Sequence, residues 1–274
     1  MILFGVIRAE LIKVFTRGSG IALMAMAVAV PFVCAFAMWV VVNQSGASLN
    51  GQSVQSLVSA SAIDLGGWAL RLRNFYVLPL FLLLAAAQTT AGELSDRTMR
   101  DMLVRPVPRE GVLAARVVAL AVLAALGLLL TFVLSVGLGA LFFGVGDLTD
   151  TAAFGAAAGK LLLGYTASLA SDLGLIVLAL LVSLFIRSVG GVVVATVMLL
   201  LADMALNGAL SAASMFGLEV AKELKPWTLG YALSCWEGYS SPEGFDVRSF
   251  LSLAGITAAM AALAIVRFRR MDVP

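Results

Sequence analysis

Six apolar runs, each about 20 residues long or more, divide this chain, and the connections between them are short except at 43–74 and 211–248. They cover about 21–42, 75–92, 117–144, 161–186, 188–210 and 249–266. A run of that length crosses hydrocarbon as a helix, because a helix satisfies its own backbone hydrogen bonds. Leu, Val, Ala and Gly dominate and the strict alternation of a β-barrel is missing. Hydrophobic residues make up 61% of the chain, charged residues only 12%, and the mean hydropathy is +1.03. Soluble domains sit near about 45–50% apolar and about 25% charged. The expectation is an all-α integral membrane protein of six transmembrane helices, folded as one domain over 1–274. Pro31 is expected to kink the first span, and Pro79 lies in the second.

The net charge of +2 gives no reason to expect nucleic acid, so the placement of charges carries the information. With the N-terminus inside, the cytoplasmic side holds Arg8, Lys13, Arg17, Arg97, Arg100, Arg105, Arg109, Arg116, Arg187, Arg267, Arg269 and Arg270. The outer side holds Arg71, Arg73, Lys160, Lys222, Lys225 and Arg248. That two-to-one excess predicts both termini in the cytoplasm, in the cytoplasmic (inner) membrane. Ala35-Phe36-Ala37 has the form of a signal-peptidase site, yet the apolar run continues to Val42, so the first span is expected to be uncleaved.

Residues 1–18 read as an amphipathic helix lying at the membrane surface. At 100° per residue, Glu10, Lys13 and Arg17 fall within about 60° of one another. Leu3, Phe4, Ile7, Leu11, Val14 and Phe15 take the other side. The apolar face is expected to sink into the headgroup boundary, either as a plain anchor or as an elbow that braces a cytoplasmic partner.

The densest charges lie in 93–111, Glu93-Leu-Ser-Asp-Arg-Thr-Met-Arg-Asp-Met-Leu-Val-Arg-Pro-Val-Pro-Arg-Glu110-Gly111. Asp96 and Arg100 form an i,i+4 pair, and Met99, Met102 and Leu103 share a face. Pro106 and Pro108 then end the short helix. Flexible methionines beside mixed charges suit a protein-docking surface; a solvated basic loop is the plainer reading.

These residues resemble the permease subunits of ABC-2 type transporters. That family's loop after span two carries a glutamate, Gly-Thr, a leucine-rich turn and Pro-x-x-Arg before a lysine-led helix. This chain has Glu93, Thr98, Met102-Leu103, Pro106-Val107-Pro108-Arg109 and then Arg116 where lysine is usual; it departs at Arg97, where glycine is frequent. The N-terminal interfacial helix, six spans and a longer outer segment before the last span fit the same pattern, that of a type V exporter. The resemblance implies a transmembrane subunit that pairs with a second permease, most simply as a homodimer, and sits on two copies of a separate ABC ATPase subunit. Glu93, Arg97, Thr98, Met99, Arg100, Met102, Leu103, Arg105, Pro106 and Arg109 would then form the coupling segment to that ATPase. ATP and Mg would be bound by the partner and no cofactor by this chain, which is not expected to be an enzyme. Gly155-Ala-Ala-Ala-Gly159-Lys160-Leu161 is a false phosphate-loop match, one spacer short and lacking the hydroxyl residue.

Two acids interrupt spans, Asp172 in the fourth and Asp203 in the fifth. A charge there costs about 2.5–3.5 kcal/mol on insertion scales, so each needs a partner or a cavity. One reading makes them polar contacts for a substrate or gate. The other makes them hydrogen-bonded struts, with Ser168 one turn before Asp172 and Asn207 one turn after Asp203. The outer segment 211–248, with Trp227, Trp236 and Tyr239, reads as an aromatic belt in the headgroup zone, while the ABC-2 resemblance implies a lid over the exit of the pathway. Residues 43–73 read as an outer loop. Cys34 and Cys235 are expected to be separate thiols, and no histidine is present for a metal site. A proton-coupled secondary transporter using Asp172 and Asp203 and a non-transporting scaffold remain as alternatives. The sparse charges of the spans favour an amphipathic or lipidic substrate.

Overall fold

A computed structural model describes residues 2–43, 48–49, 52–53, 61–96, 109–145, 151–241 and 244–270. It is an all-α bundle; a two-residue antiparallel pairing, Ser48 opposite Ser53, is a minor exception. Five helices are long and apolar enough to cross a membrane, and a bent pair passes the same test together. The protein is therefore a multi-pass membrane protein.

Helix α1 (Ile2–Thr16) joins α2 (Gly18–Asn43) through a bend at Arg17. The backbones meet closely there: a Cβ on Gly20 would collide with the carbonyl of Val14, so glycine is required. Helix α2 runs unbroken through Pro31, which is buried in the bundle.

The second pass differs from expectation. Its first half is α3 (Ala62–Leu72), inside the stretch expected to be an outer loop. Ser61 caps it by accepting from the backbone N–H of Asp64 at 3.2 Å, and Leu65, Ala69 and Leu70 are fully buried. A π-helical stretch, Arg73–Val77, leads into α4 (Leu78–Ala87), and a second one, Gln88–Gly92, precedes the single turn Glu93–Ser95. The halves Ala62–Phe75 and Pro79–Ser95 are bent by 44°. Pro79 supplies a reason, since it cannot donate to the carbonyl one turn earlier. The pass thus starts 13 residues before residue 75, and Arg73 lies inside it rather than in an outer loop.

The remaining passes are α5 (Arg109–Phe143), α6 (Thr151–Ser183), α7 (Val189–Met215) and α10 (Val247–Arg270). Helix α6 begins ten residues before the expected 161, so Lys160 lies on a helix. Between α7 and α10 the segment expected to lie outside forms two short helices, α8 (Glu219–Leu224) and α9 (Leu229–Leu233), joined by the 3₁₀ turn Lys225–Trp227. A further 3₁₀ stretch, Cys235–Tyr239, folds back onto α6.

Successive passes alternate in direction. The Ala62 N–H donates to the Gly144 carbonyl at 3.0 Å, which joins the start of α3 to the end of α5. At the opposite end Arg116 pairs with Glu93, Arg269 Nε donates to Glu110 at 2.7 Å, and Arg267 sits 5.1 Å over the Phe185 ring. Helix α1 and the end of α10 consequently lie at the same end of the bundle. The largest apolar core joins Val14, Leu23, Leu82, Leu120, Leu123, Ile176, Leu180 and Phe268, drawn from every pass but α7. Helix α7 is the outlier, with only 11% of its apolar window buried.

Candidate functional site

The break in the second pass brings Arg73 into the middle of the bundle. Its Nη2 donates to Asp172 Oδ2 at 2.9 Å, and Nη1 donates to Ser168 Oγ at 3.0 Å and to Asn74 Oδ1 at 2.8 Å. Both charged side chains are 2% exposed. A lone charge at such depth would be costly, and the opposite charge plus two polar neighbours offsets that cost. Asp172 was expected to lean on Ser168; in the structure Ser168 and Asp172 both accept from Arg73, which lies 99 residues away from Asp172.

Asp172 also lines a cavity of about 510 Å³. The cavity lies between the break at Asn74 and Phe75, α6, α7 and the α7–α10 connection at Tyr231 and Trp236. Glu237 lines it as well; burial pushes its carboxyl up from its ordinary value, and Arg71 opposes that shift. Asp203 is not among the lining residues. Its carboxylate accepts from the backbone N–H of Leu229 at 3.0 Å, from that of Gly230, and from Asn207 Nδ2 at 2.9 Å. Asn207 Oδ1 in turn accepts from Thr228 at 2.7 Å. This clasp holds the α7–α10 connection onto α7, and a Cβ on Gly230 would come within 2.5 Å of Asp203 Oδ2. Asp203 is therefore a strut, as is its neighbour Asn207.

A second charge cluster closes the other end. Glu93, 4% exposed, accepts from Lys13 at 3.0 Å, from Arg17 at 3.2 Å and from the fully buried Arg116. Arg116 also donates to Thr90 at 3.0 Å, Arg17 to the Gln88 carbonyl at 2.7 Å, and Ser19 to Gln88 Oε1 at 2.7 Å. Lys13 bonds the fully buried Glu10 at 3.3 Å. The charged face of α1 was expected to face water or a partner; it is turned into the bundle instead. Phe4 and Ile12 are left outward, 73% and 55% exposed. In this orientation Lys13 and Arg17 both reach the carboxylate of Glu93.

Residues 22–274 match a family described as a protein of unknown function, DUF2705. The chain belongs to that family. No curated protein matches it.

Within this DUF2705 chain the structure gathers Glu10, Lys13, Arg17 and Glu93 into one cluster, and it keeps Asp172 and Asp203 apart in different roles. Arg97, Thr98, Met99, Arg100, Met102, Leu103, Arg105 and Pro106 lie outside the described residues, and Arg109 is described only as the first residue of α5. Sequence reasoning missed Arg73 and Arg116 as buried partners. One signal was present: Ser61-Ala-Ile-Asp64 is a helix-capping sequence, and it would have placed Arg73 at the end of a helix rather than in a loop. Cys34 and Cys235 are buried free thiols. Among the described residues no group of three or more His, Cys, Asp or Glu is placed to hold a metal ion.

Proposed function

We propose that this chain is the transmembrane permease subunit of an ATP-binding-cassette exporter. In this reading the bent pair is one pass, so the chain makes six, with both ends in the cytoplasm. Two copies enclose the pathway, and two separate ATPase subunits bind ATP and Mg below them. The observation that carries the reading is the Glu93 cluster. It ties α1 to Glu93, the first residue of the 93–109 segment that resembles an ABC-2 coupling helix. A force applied there would reach the bent pass, α1 and α5 together. The commitment of Asp203 to backbone N–H groups and of Asp172 to Arg73 favours struts over proton carriers.

The test is co-purification in mild detergent from the native membrane. Wild-type chain should bring down an ATP-hydrolysing subunit in a two-plus-two assembly. Met102→Asp or Leu103→Asp should insert and dimerise normally yet lose that subunit, because a buried apolar contact of this size is worth about 1.5–3 kcal/mol. Asp203→Asn, at the far end of the bundle, should retain it. Recovery of no ATPase with the wild type would sink the exporter reading, and full recovery with both loop variants would remove the coupling role of 93–109.

A further inference from the structure

The cavity beside Asp172 combines apolar walls with polar groups, and Lys225 and Glu237 line it together with Asp172 and Asn74. Its volume of about 510 Å³ lies within the roughly 300–1,000 Å³ typical of small-molecule sites. Phe75, Leu175, Leu200 and Met204 supply the walls. Phe75 is 57% exposed and Met204 63% exposed, and both lie part-way along membrane passes. The side between the break and α7 is therefore open at positions within the membrane passes, which gives a molecule dissolved in the bilayer a route to the cavity. Asp172 is only 2% exposed. Arg73 occupies Oδ2, whereas Oδ1 has no hydrogen-bond donor among the described residues. That oxygen is not enclosed by protein but open towards the cavity, and a ligand that donates to it gains a charge-assisted hydrogen bond.

We propose that this cavity binds an amphipathic molecule taken from the bilayer, with its apolar body against Phe75, Leu175, Leu200 and Met204 and a hydroxyl or amide N–H donated to Oδ1 of Asp172. Arg73 already balances the carboxylate, so a second full cation at this depth would leave a net buried charge; a neutral donor would not. An ionised carboxylate headgroup has no hydrogen to donate to Oδ1. The proposal names a substrate class for the exporter and rests on that reading only for transport; binding is measured on the permease alone.

Trp236 lines the cavity and reports on it. A variant with Trp39, Trp68 and Trp227 replaced by Phe keeps it as the single tryptophan, and all three are about half exposed or more, so the bundle should tolerate the change. This protein in lipid nanodiscs is titrated with 10-bromodecan-1-ol, its methyl ether and 10-bromodecanoate, whose bromine quenches nearby tryptophan. The alcohol should quench saturably, with half-saturation about tenfold below that of the ether and the carboxylate, the difference expected for one charge-assisted hydrogen bond. Leu200→Phe with Met204→Phe fills the walls, leaves the ion pair untouched and should abolish the saturable component. Equal, non-saturating quenching by alcohol and ether overturns the proposal, as does unchanged saturable quenching in the filled variant. Saturable binding by a permease that recovers no ATPase would leave the site standing and the exporter reading fallen; the converse pattern would remove the site alone.

Discussion

At the middle of the bundle one arginine meets one aspartate, while at its end one glutamate meets three cations. Arg73 and Asp172 are each 2% exposed and neutralise one another. Glu93 is shared by Lys13 and Arg17, with side chains 32% and 30% exposed, and by the wholly buried Arg116. The contrast follows depth. Far from water a surplus charge has nowhere to go, so the middle is balanced one to one. Near the headgroups a surplus cation keeps part of its hydration, so a single carboxylate can serve as a hub that joins α1, the bent pass and α5. The first arrangement fixes a break in a helix, and the second gathers three chain segments.

The largest effect should come from unbalancing the middle. Asp172→Leu leaves Arg73 buried without its counter-charge and should cost about 3–5 kcal/mol of stability. Arg73→Met combined with Asp172→Leu removes both charges and should recover most of that loss. Thermal unfolding of detergent-purified protein, followed by the loss of the monodisperse elution peak, measures both. A double variant as unstable as Asp172→Leu would show that the pair is not the cause.

That pair also marks where the sequence stops being legible. Five passes follow from their own apolar runs, since hydrocarbon-length stretches need no tertiary information. Of the bent pass only the half at 75–92 does, because 62–73 holds Gly66, Gly67, Asp64, Arg71 and Arg73 and falls short of any spanning window. It is buried because Leu65 and Leu70 pack against neighbouring passes, and because Asp172 waits opposite Arg73. For α1 the helical period correctly groups Glu10, Lys13 and Arg17. It cannot tell whether that face meets water or a buried glutamate 76–83 residues away. The polar partner of Asp203 at Asn207 was legible, being one turn distant, whereas the backbone N–H groups of Leu229 and Gly230 were not.

Glu93→Gln tests the hub and should have a smaller effect than Asp172→Leu. The amide keeps the volume but removes the charge shared by three cations. Lys13 and Arg17 can turn to water, and only Arg116 stays buried, so a loss of about 1.5–3 kcal/mol is expected. Released from the bundle, α1 should also become sensitive to trypsin at Lys13 and Arg17 under conditions in which the wild type resists. Unchanged protection of α1 would mean that Val14 and the apolar core hold this helix without the charges.

The smallest effect isolates burial from charge. Arg269 and Glu110 form an ion pair at the same end of the bundle as Glu93, between the same chemical groups as Arg116 and Glu93. Their side chains are 59% and 49% exposed, however. An exposed pair gains little Coulomb energy in water and gives up side-chain freedom, so Arg269→Ala should cost less than about 1 kcal/mol. Salt screens what remains: at about 1 M ionic strength the Debye length is only about 3 Å, and the variant should then match the wild type. Glu93→Gln should keep most of its effect in the same salt, because Arg116 is out of reach of the ions. If both variants lose their effect together, the Glu93 cluster is hydrated in the membrane-bound protein and its role as a rigid link between α1, the bent pass and α5 fails. If Arg269→Ala proves as costly as Glu93→Gln at low salt, the end of α10 belongs to that link as well.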